Sequence, residues 1–217
     1  MFFDIKGLFS PEMMQKANIS LYQWIKLSLY MSLYAIPWVI VNTLFILTKE
    51  TFLLFVLAFL FVIPNIVAAF YFSDKTIHFR EYSHYLKRTY IDSLKNGLFI
   101  MGVLLFFGFD GYVVLSLMKL GYLFPLLYIT SLFITIWAVY FLYFQQQKEF
   151  LFKKNVKLAM FFSWRYVLLS FSIFLLIMLW LSLGYFLQGL NLLVGNGLVW
   201  GIIARLIYRR VEKTANK

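Results

Sequence analysis

The stretch "TFLLFVLAFLFVIPNIVAAFYF", residues 51 to 72, carries no charged side chain. Wound as a helix at about 1.5 Å per residue, it covers the roughly 30 Å of hydrocarbon in a bilayer. Its apolar residues run on without the in-and-out alternation of a membrane barrel strand. The stretch therefore predicts a transmembrane helix, and the chain on either side repeats the pattern. Runs over 27–47, 122–144 and 166–187 are equally apolar. Two further runs are weaker: 97–118 contains Asp110, and 192–208 is short, with Asn196 near its start and Arg205 near its end.

Composition supports the bilayer as solvent. Of 217 residues, 63% are hydrophobic, 22% aromatic and 13% charged, with a mean hydropathy of +0.81. Soluble domains run at about 45–50% apolar and about 25% charged, so a soluble chain of this size would lack the charges to solvate its outside. The expected fold is all-α: one polytopic membrane domain over 1–217, a bundle of about six transmembrane helices with short outer loops. There is no cysteine, which removes disulfides and thiolate chemistry. The first twenty residues lack a short apolar core followed by a small-residue cleavage site, so a removable signal peptide is not expected.

Basic residues set the orientation, because cytoplasmic connections retain Lys and Arg. Of the 20, only Lys49 and Lys119 fall on connections of one side. The others lie in the N-terminal arm, in the connections near 74–95 and 145–165, and at the C-terminal end. Six spans then place both termini in the cytoplasm. The net charge of +11 reads as topology and contact with anionic lipid headgroups. A nucleic-acid partner is not expected, since no folded basic module is left once the spans are assigned.

The connection "DKTIHFREYSHYLKRTYIDSLK", residues 74–95, spaces Phe79, Tyr82, Leu86, Tyr90 and Leu94 at three- and four-residue steps, with Arg80, Lys87 and Arg88 between them. That periodicity predicts an amphipathic helix over about 76–94 lying on the inner membrane surface. Phe79, Arg80, Tyr82, Lys87, Arg88 and Tyr90 are its candidate contacts with lipid or a partner. The second long connection, 145–165, is a less regular case of the same pattern.

Catalytic signatures are missing. There is no phosphate loop, no Gly-x-Ser-x-Gly elbow, and no set of acid, base and nucleophile. His78 and His84 stand six residues apart, on opposite faces of a helix, which argues against a shared metal. The glycines of "GNGLVWG", residues 195–201, fit close helix approach better than a phosphate nest. No enzyme activity, metal or cofactor is expected. Pro64 and Asn65 are more informative: a mid-span proline removes a backbone donor and kinks the helix, either for packing or to form a polar site within the membrane.

The pair "IPNIVAAFYF" and "HFREYSHYLKRTY" resembles the YesL-like family of bacterial multi-pass membrane proteins of unknown function. There, a proline-containing span precedes a segment of Phe-Arg-acid-Phe followed by basic and aromatic positions, held here by Phe79, Arg80, Glu81, Tyr82, Leu86, Lys87, Arg88 and Tyr90. Tyr and Leu stand at some positions where the family has Phe. The resemblance extends loosely from about Leu21 to Arg210, and includes the acidic residue of the third span, Asp110. It implies the bacterial cytoplasmic membrane and a non-catalytic role accessory to a carbohydrate-uptake system, with transporter subunits as partners. The alternative is a small-solute carrier in which Asp110 and Pro64 line a transport cavity.

Asp110 sits in "GFDG", residues 108–111, about 21 Å above Asn96 if the span is helical. An ionised Asp facing lipid costs about 2.5 to 3.5 kcal/mol on insertion scales, so the side chain is expected to face protein or a wet cavity. Three roles fit: capping a helix broken at "GFDG", polar packing against tyrosines or against Asn42 or Asn191, or a protonatable or cation-binding group.

Overall fold

The computed structural model describes residues 11–72, 75–146, 152–187, 189 and 191–215. Among these residues every regular element is helical. In chain order they are α1 (Pro11–Tyr34), α2 (Ile36–Leu44), α3 (Phe52–Phe59), α4 (Ile63–Tyr71), α5 (Phe79–Tyr112), α6 (Phe124–Gln145), α7 (Phe152–Arg165), α8 (Val167–Phe186) and α9 (Asn196–Ala215). Short π-helical turns extend α5 over Val113–Leu117 and precede α9 over Asn191–Gly195. All four prolines stand in the first turn of a helix, where the missing N–H has no intrahelical partner to lose.

Four helical segments are long and apolar enough to cross a membrane: Phe52–Tyr71, Phe79–Leu117, Gly121–Gln145 and Val167–Phe186. The part of α1 from Asn18 and α2 meet that measure only when taken together, with a bend of 85° between them, as a broken span or a re-entrant loop. The expected span over 27–47 is helical but broken. Helix α1 ends at Tyr34, Ala35 leaves helical geometry at φ −105° and ψ 35°, and α2 restarts with Pro37 in its first turn. The sixth expected span, 192–208, is helical but falls below that measure of length and apolarity. Its middle is nonetheless deep in the bundle, with Val199, Trp200, Ile203, Ala204 and Ile207 at most 3% exposed.

Helices α4 and α9 make the centre. Helix α9 packs on α1, α4 and α8, while α4 packs on α1, α5 and α6. Every residue from Ile63 to Phe70 is buried, so α4 is enclosed on all sides. The close approach of α9 to α1 rests on glycine: a Cβ at Gly197 would strike the Trp24 carbonyl, and one at Gly201 would lie 2.9 Å from the Trp24 indole. These positions answer the question raised by "GNGLVWG": its glycines are packing contacts.

The expected separation of an interfacial helix over 76–94 from a span over 97–118 is absent, since α5 runs unbroken across both. Its buried residues are Tyr82, Leu86, Thr89, Ser93, Gly97 and Ile100, a three- and four-residue seam that passes straight through the supposed boundary. Thr89 and Ser93 replace Tyr90 and Leu94 in that seam, because small side chains let α5 approach its neighbours; a Cβ at Gly97 would come within 2.8 Å of Ile63 Cδ1. The other long connection is likewise helical over α7, with Phe133 and Trp164 stacked at 4.4 Å between α6 and α7. Residues 147–151 of that connection lie outside the described residues.

Packing is uneven along the bundle. The core gathers at one end, around Tyr82, Phe70 and the run Tyr140–Phe144. At the other end, from 101 to 135, no residue is buried. The top of α5, the turn at Lys119 (φ 55°) and the first half of α6 thus form a hairpin almost uncovered by the rest of the chain.

Candidate functional site

Asn65 lies on α4 and Tyr82 on α5, and both are fully buried. Between α3 and α4 the helix is interrupted, and Pro64, lacking an N–H, cannot donate back to the Leu60 carbonyl. Asn65 Nδ2 donates to the Phe61 carbonyl at 2.9 Å, and Tyr82 donates its hydroxyl to Asn65 Oδ1 at 2.8 Å. Tyr30, Tyr34 and Phe72 surround the Tyr82 ring at 5.6–5.8 Å between centroids. Tyr82 is therefore a core residue and not a lipid or partner contact, and Pro64 and Asn65 form a closed packing joint. Every hydrogen-bonding atom used here is matched, which leaves this joint nothing to offer a solute.

The remaining contact candidates divide. Phe79 is about half exposed and rests on Tyr30 and Tyr34, while Tyr90 is half-buried. Arg80, Lys87 and Arg88 are all exposed. Arg80 and Arg88 share one face of α5 with His84, and with Lys75, Glu81, Tyr71 and Tyr85 they line a cleft of about 380 Å³. Lys87 lies outside it. Tyr71 and Tyr85 stack at 4.1 Å as its floor, and Lys75 Nζ sits 3.5 Å from the Tyr71 ring. No ion pair engages Lys75, Arg80 or Arg88 among the described residues. Three cations and one carboxylate around an aromatic floor suit an anionic headgroup. His84 and Lys75 were not expected here, and the four-residue spacing of Arg80, His84 and Arg88 was the signal that could have found the first.

Asp110 stands half-buried on the uncovered top of α5. The proposed break at "GFDG" does not occur: α5 continues to Tyr112 and then as a π-helical turn to Leu117, so the carboxylate caps no helix end. Its side chain makes no hydrogen bond or ion pair among the described residues, and Asn42 and Asn191 lie elsewhere, around a different cavity. Gly102, Gly108 and Gly111 face open space. Beside them, between α5 and α6, is a cavity of about 430 Å³ lined by Gly108, Gly111, Tyr112, Ser116, Tyr128 and Ser131. Neither Asp110 nor Pro64 lines this cavity or any of four others in the molecule.

Two hydroxyls in the same hairpin are satisfied locally, Thr130 donating to the Leu126 carbonyl and Thr135 to the Ser131 carbonyl, each at 2.8 Å. No group of three or more His, Asp or Glu side chains gathers as a metal site among the described residues. Comparison with family models, with curated proteins and with solved structures finds no match to this chain.

Proposed function

We propose that the chain is a non-catalytic, multi-pass membrane protein that serves as an accessory subunit, docking on another membrane protein through the hairpin of residues 101–135. The observation that carries this reading is a hairpin with no buried residue and one unpartnered carboxylate, Asp110. Lipid alone would leave that charge exposed at a cost of about 2.5–3.5 kcal/mol. A partner span bearing Lys or Arg at the same depth removes the cost. Within the hairpin itself the only cation is Lys119, nine residues on at the turn.

In this reading the chain crosses the membrane six times with both termini in the cytoplasm, α1 and α2 acting as one broken crossing and α9 as the last. The distribution of basic residues supports it. The cleft around Arg80, His84 and Arg88 then sits at the inner headgroups, where anionic lipid gathers. Resemblance to the YesL-like family supports a bacterial cytoplasmic membrane and a carbohydrate-uptake transporter as the assembly served.

The test is an Asp110 series recovered from native membranes. Asp110→Glu should keep the partner, whereas Asp110→Asn and Asp110→Leu should lose it while remaining inserted. Asp110→Leu should insert at least as well as the parent chain, since it removes a charge from the span. Equal recovery of the same partner by Asp110→Leu would refute the reading.

A further inference from the structure

The cleft of about 380 Å³ along the start of α5 gathers charges of both signs on an aromatic floor. Its volume lies at the lower end of the range for small-molecule sites. Arg80, His84 and Arg88 recur at four-residue steps along one strip of the helix, about 12 Å from first to last. Lys75 joins them from the segment before the helix. All four are exposed.

The floor is held in place from both sides. Tyr71 and Tyr85 stack with 14° between planes, and Phe72 meets Tyr85 edge-on at 5.8 Å between centroids. The Tyr85 hydroxyl is enclosed, which makes that ring a surface and not a donor to the cleft. Lys75 Nζ is anchored over the Tyr71 ring, and an ammonium with three hydrogens keeps donors for a ligand.

The charges decide the ligand. Two guanidinium forks and an ammonium match the oxygens of a phosphate, and no ion pair among the described residues occupies them. Glu81 is exposed on the same cleft, also without an ion pair among those residues. An ionised carboxylate only accepts hydrogen bonds, so its match is a donor next to the phosphate. An ammonium donor would sit among three cations, whereas a hydroxyl meets no such repulsion.

We infer that this cleft binds a phosphodiester whose alcohol carries free hydroxyls, the phosphate on Arg80, Arg88 and Lys75 and a hydroxyl on Glu81. Two sources share that chemistry, the headgroup of a polyol phospholipid such as phosphatidylglycerol and a soluble glycerophosphodiester. The lipid source rests on the inner-headgroup placement proposed above, while the binding chemistry stands on the cleft and does not depend on the docking reading of the hairpin.

The test uses the full chain in phosphatidylcholine nanodiscs, which expose both leaflets, so its outcome is separate from the topology that cysteine labelling reads. One arm adds phosphatidylglycerol and measures lipid retained on the protein by native mass spectrometry, with phosphatidylethanolamine and phosphatidic acid as the ammonium-bearing and alcohol-free controls. A second arm titrates glycerophosphoglycerol by calorimetry, with glycerol 3-phosphate as its control. Retention of phosphatidylglycerol above both control lipids assigns the headgroup, and saturable heat from glycerophosphoglycerol without a lipid preference assigns the solute. In the arm that responds, Arg80→Gln and Arg88→Gln should each weaken binding by about tenfold or more, the loss of a charge-assisted hydrogen bond. Lys87→Gln, the same loss of charge on α5 outside the cleft, should leave binding nearly unchanged. Glu81→Ala should erase the preference over phosphatidic acid or glycerol 3-phosphate. All four side chains are exposed, so each variant should keep the fold. No preference in either arm, a loss with Lys87→Gln equal to that with the two arginines, or a preference that survives Glu81→Ala would overturn the inference.

Discussion

Tyr82 and Asn65 show how one hydrogen bond joins two helices in a core that is otherwise aromatic and aliphatic. Tyr82→Phe removes the donor and leaves Asn65 Oδ1 buried and unpaired, so the chain should lose about 1–3 kcal/mol, read as a lower unfolding midpoint in bilayer discs. Asn65→Leu should cost a similar amount by stranding the Tyr82 hydroxyl. The double variant removes both groups and should lose clearly less than the two single losses added; full additivity would mean that the bond contributes nothing. Sequence reasoning placed Asn65 in a span and Tyr82 on a membrane surface, and that separation concealed the pair. Their hydroxyl and amide were visible as residue types, but which of them meet depends on how α5 turns against α4. Asp110 was legible as an anomaly, because one carboxylate in an apolar run demands an explanation. Its surroundings were not legible, since an uncovered hairpin leaves no local mark in the sequence.

At the level of elements, the same substitution should have opposite effects at two glycines. Gly197→Ala pushes a methyl into the Trp24 carbonyl, forces α9 from α1, and should cost about 1–3 kcal/mol as overpacking. Gly102→Ala meets open space on α5 and should stabilise by about 0.5–1 kcal/mol through the stiffer backbone alone. Unfolding midpoints that move the same way would contradict the assigned packing. The break before α4 was readable from Pro64, and the rule applies equally to Pro37, beside which the expected span over 27–47 bends by 85°. The unbroken course of α5 was harder to read. A shift from charged to apolar composition near Asn96 resembles a boundary, yet a helix needs only its hydrogen-bond ladder and one continuous seam to pass from water into lipid. Thr89, Ser93 and Gly97 provide that seam, and none of them belongs to an apolar pattern.

For the whole molecule, packing is tight around Tyr82, Phe70 and Tyr140–Phe144 and open along the hairpin of residues 101–135. Orientation is testable without any partner, because the chain has no cysteine. Single cysteines at Thr48, Ser83, Gln146 and Thr214 should react with an impermeant reagent from outside only at Thr48; outside labelling at Thr214 would remove α9 as the sixth crossing. Apolar runs made the all-helical class plain in the sequence, while the uneven distribution of the core could not be read there, since lipid-facing and protein-facing residues are both apolar. The docking claim is tested most directly by a photoreactive side chain at Phe109, on the exposed hairpin beside Asp110, with Leu168 on exposed α8 as the control. Irradiated in native membranes, Phe109 should give a discrete protein adduct that survives Asp110→Glu, disappears with Asp110→Leu, and has no counterpart at Leu168. Adducts to lipid alone at Phe109, or a protein adduct indifferent to Asp110→Leu, would contradict it.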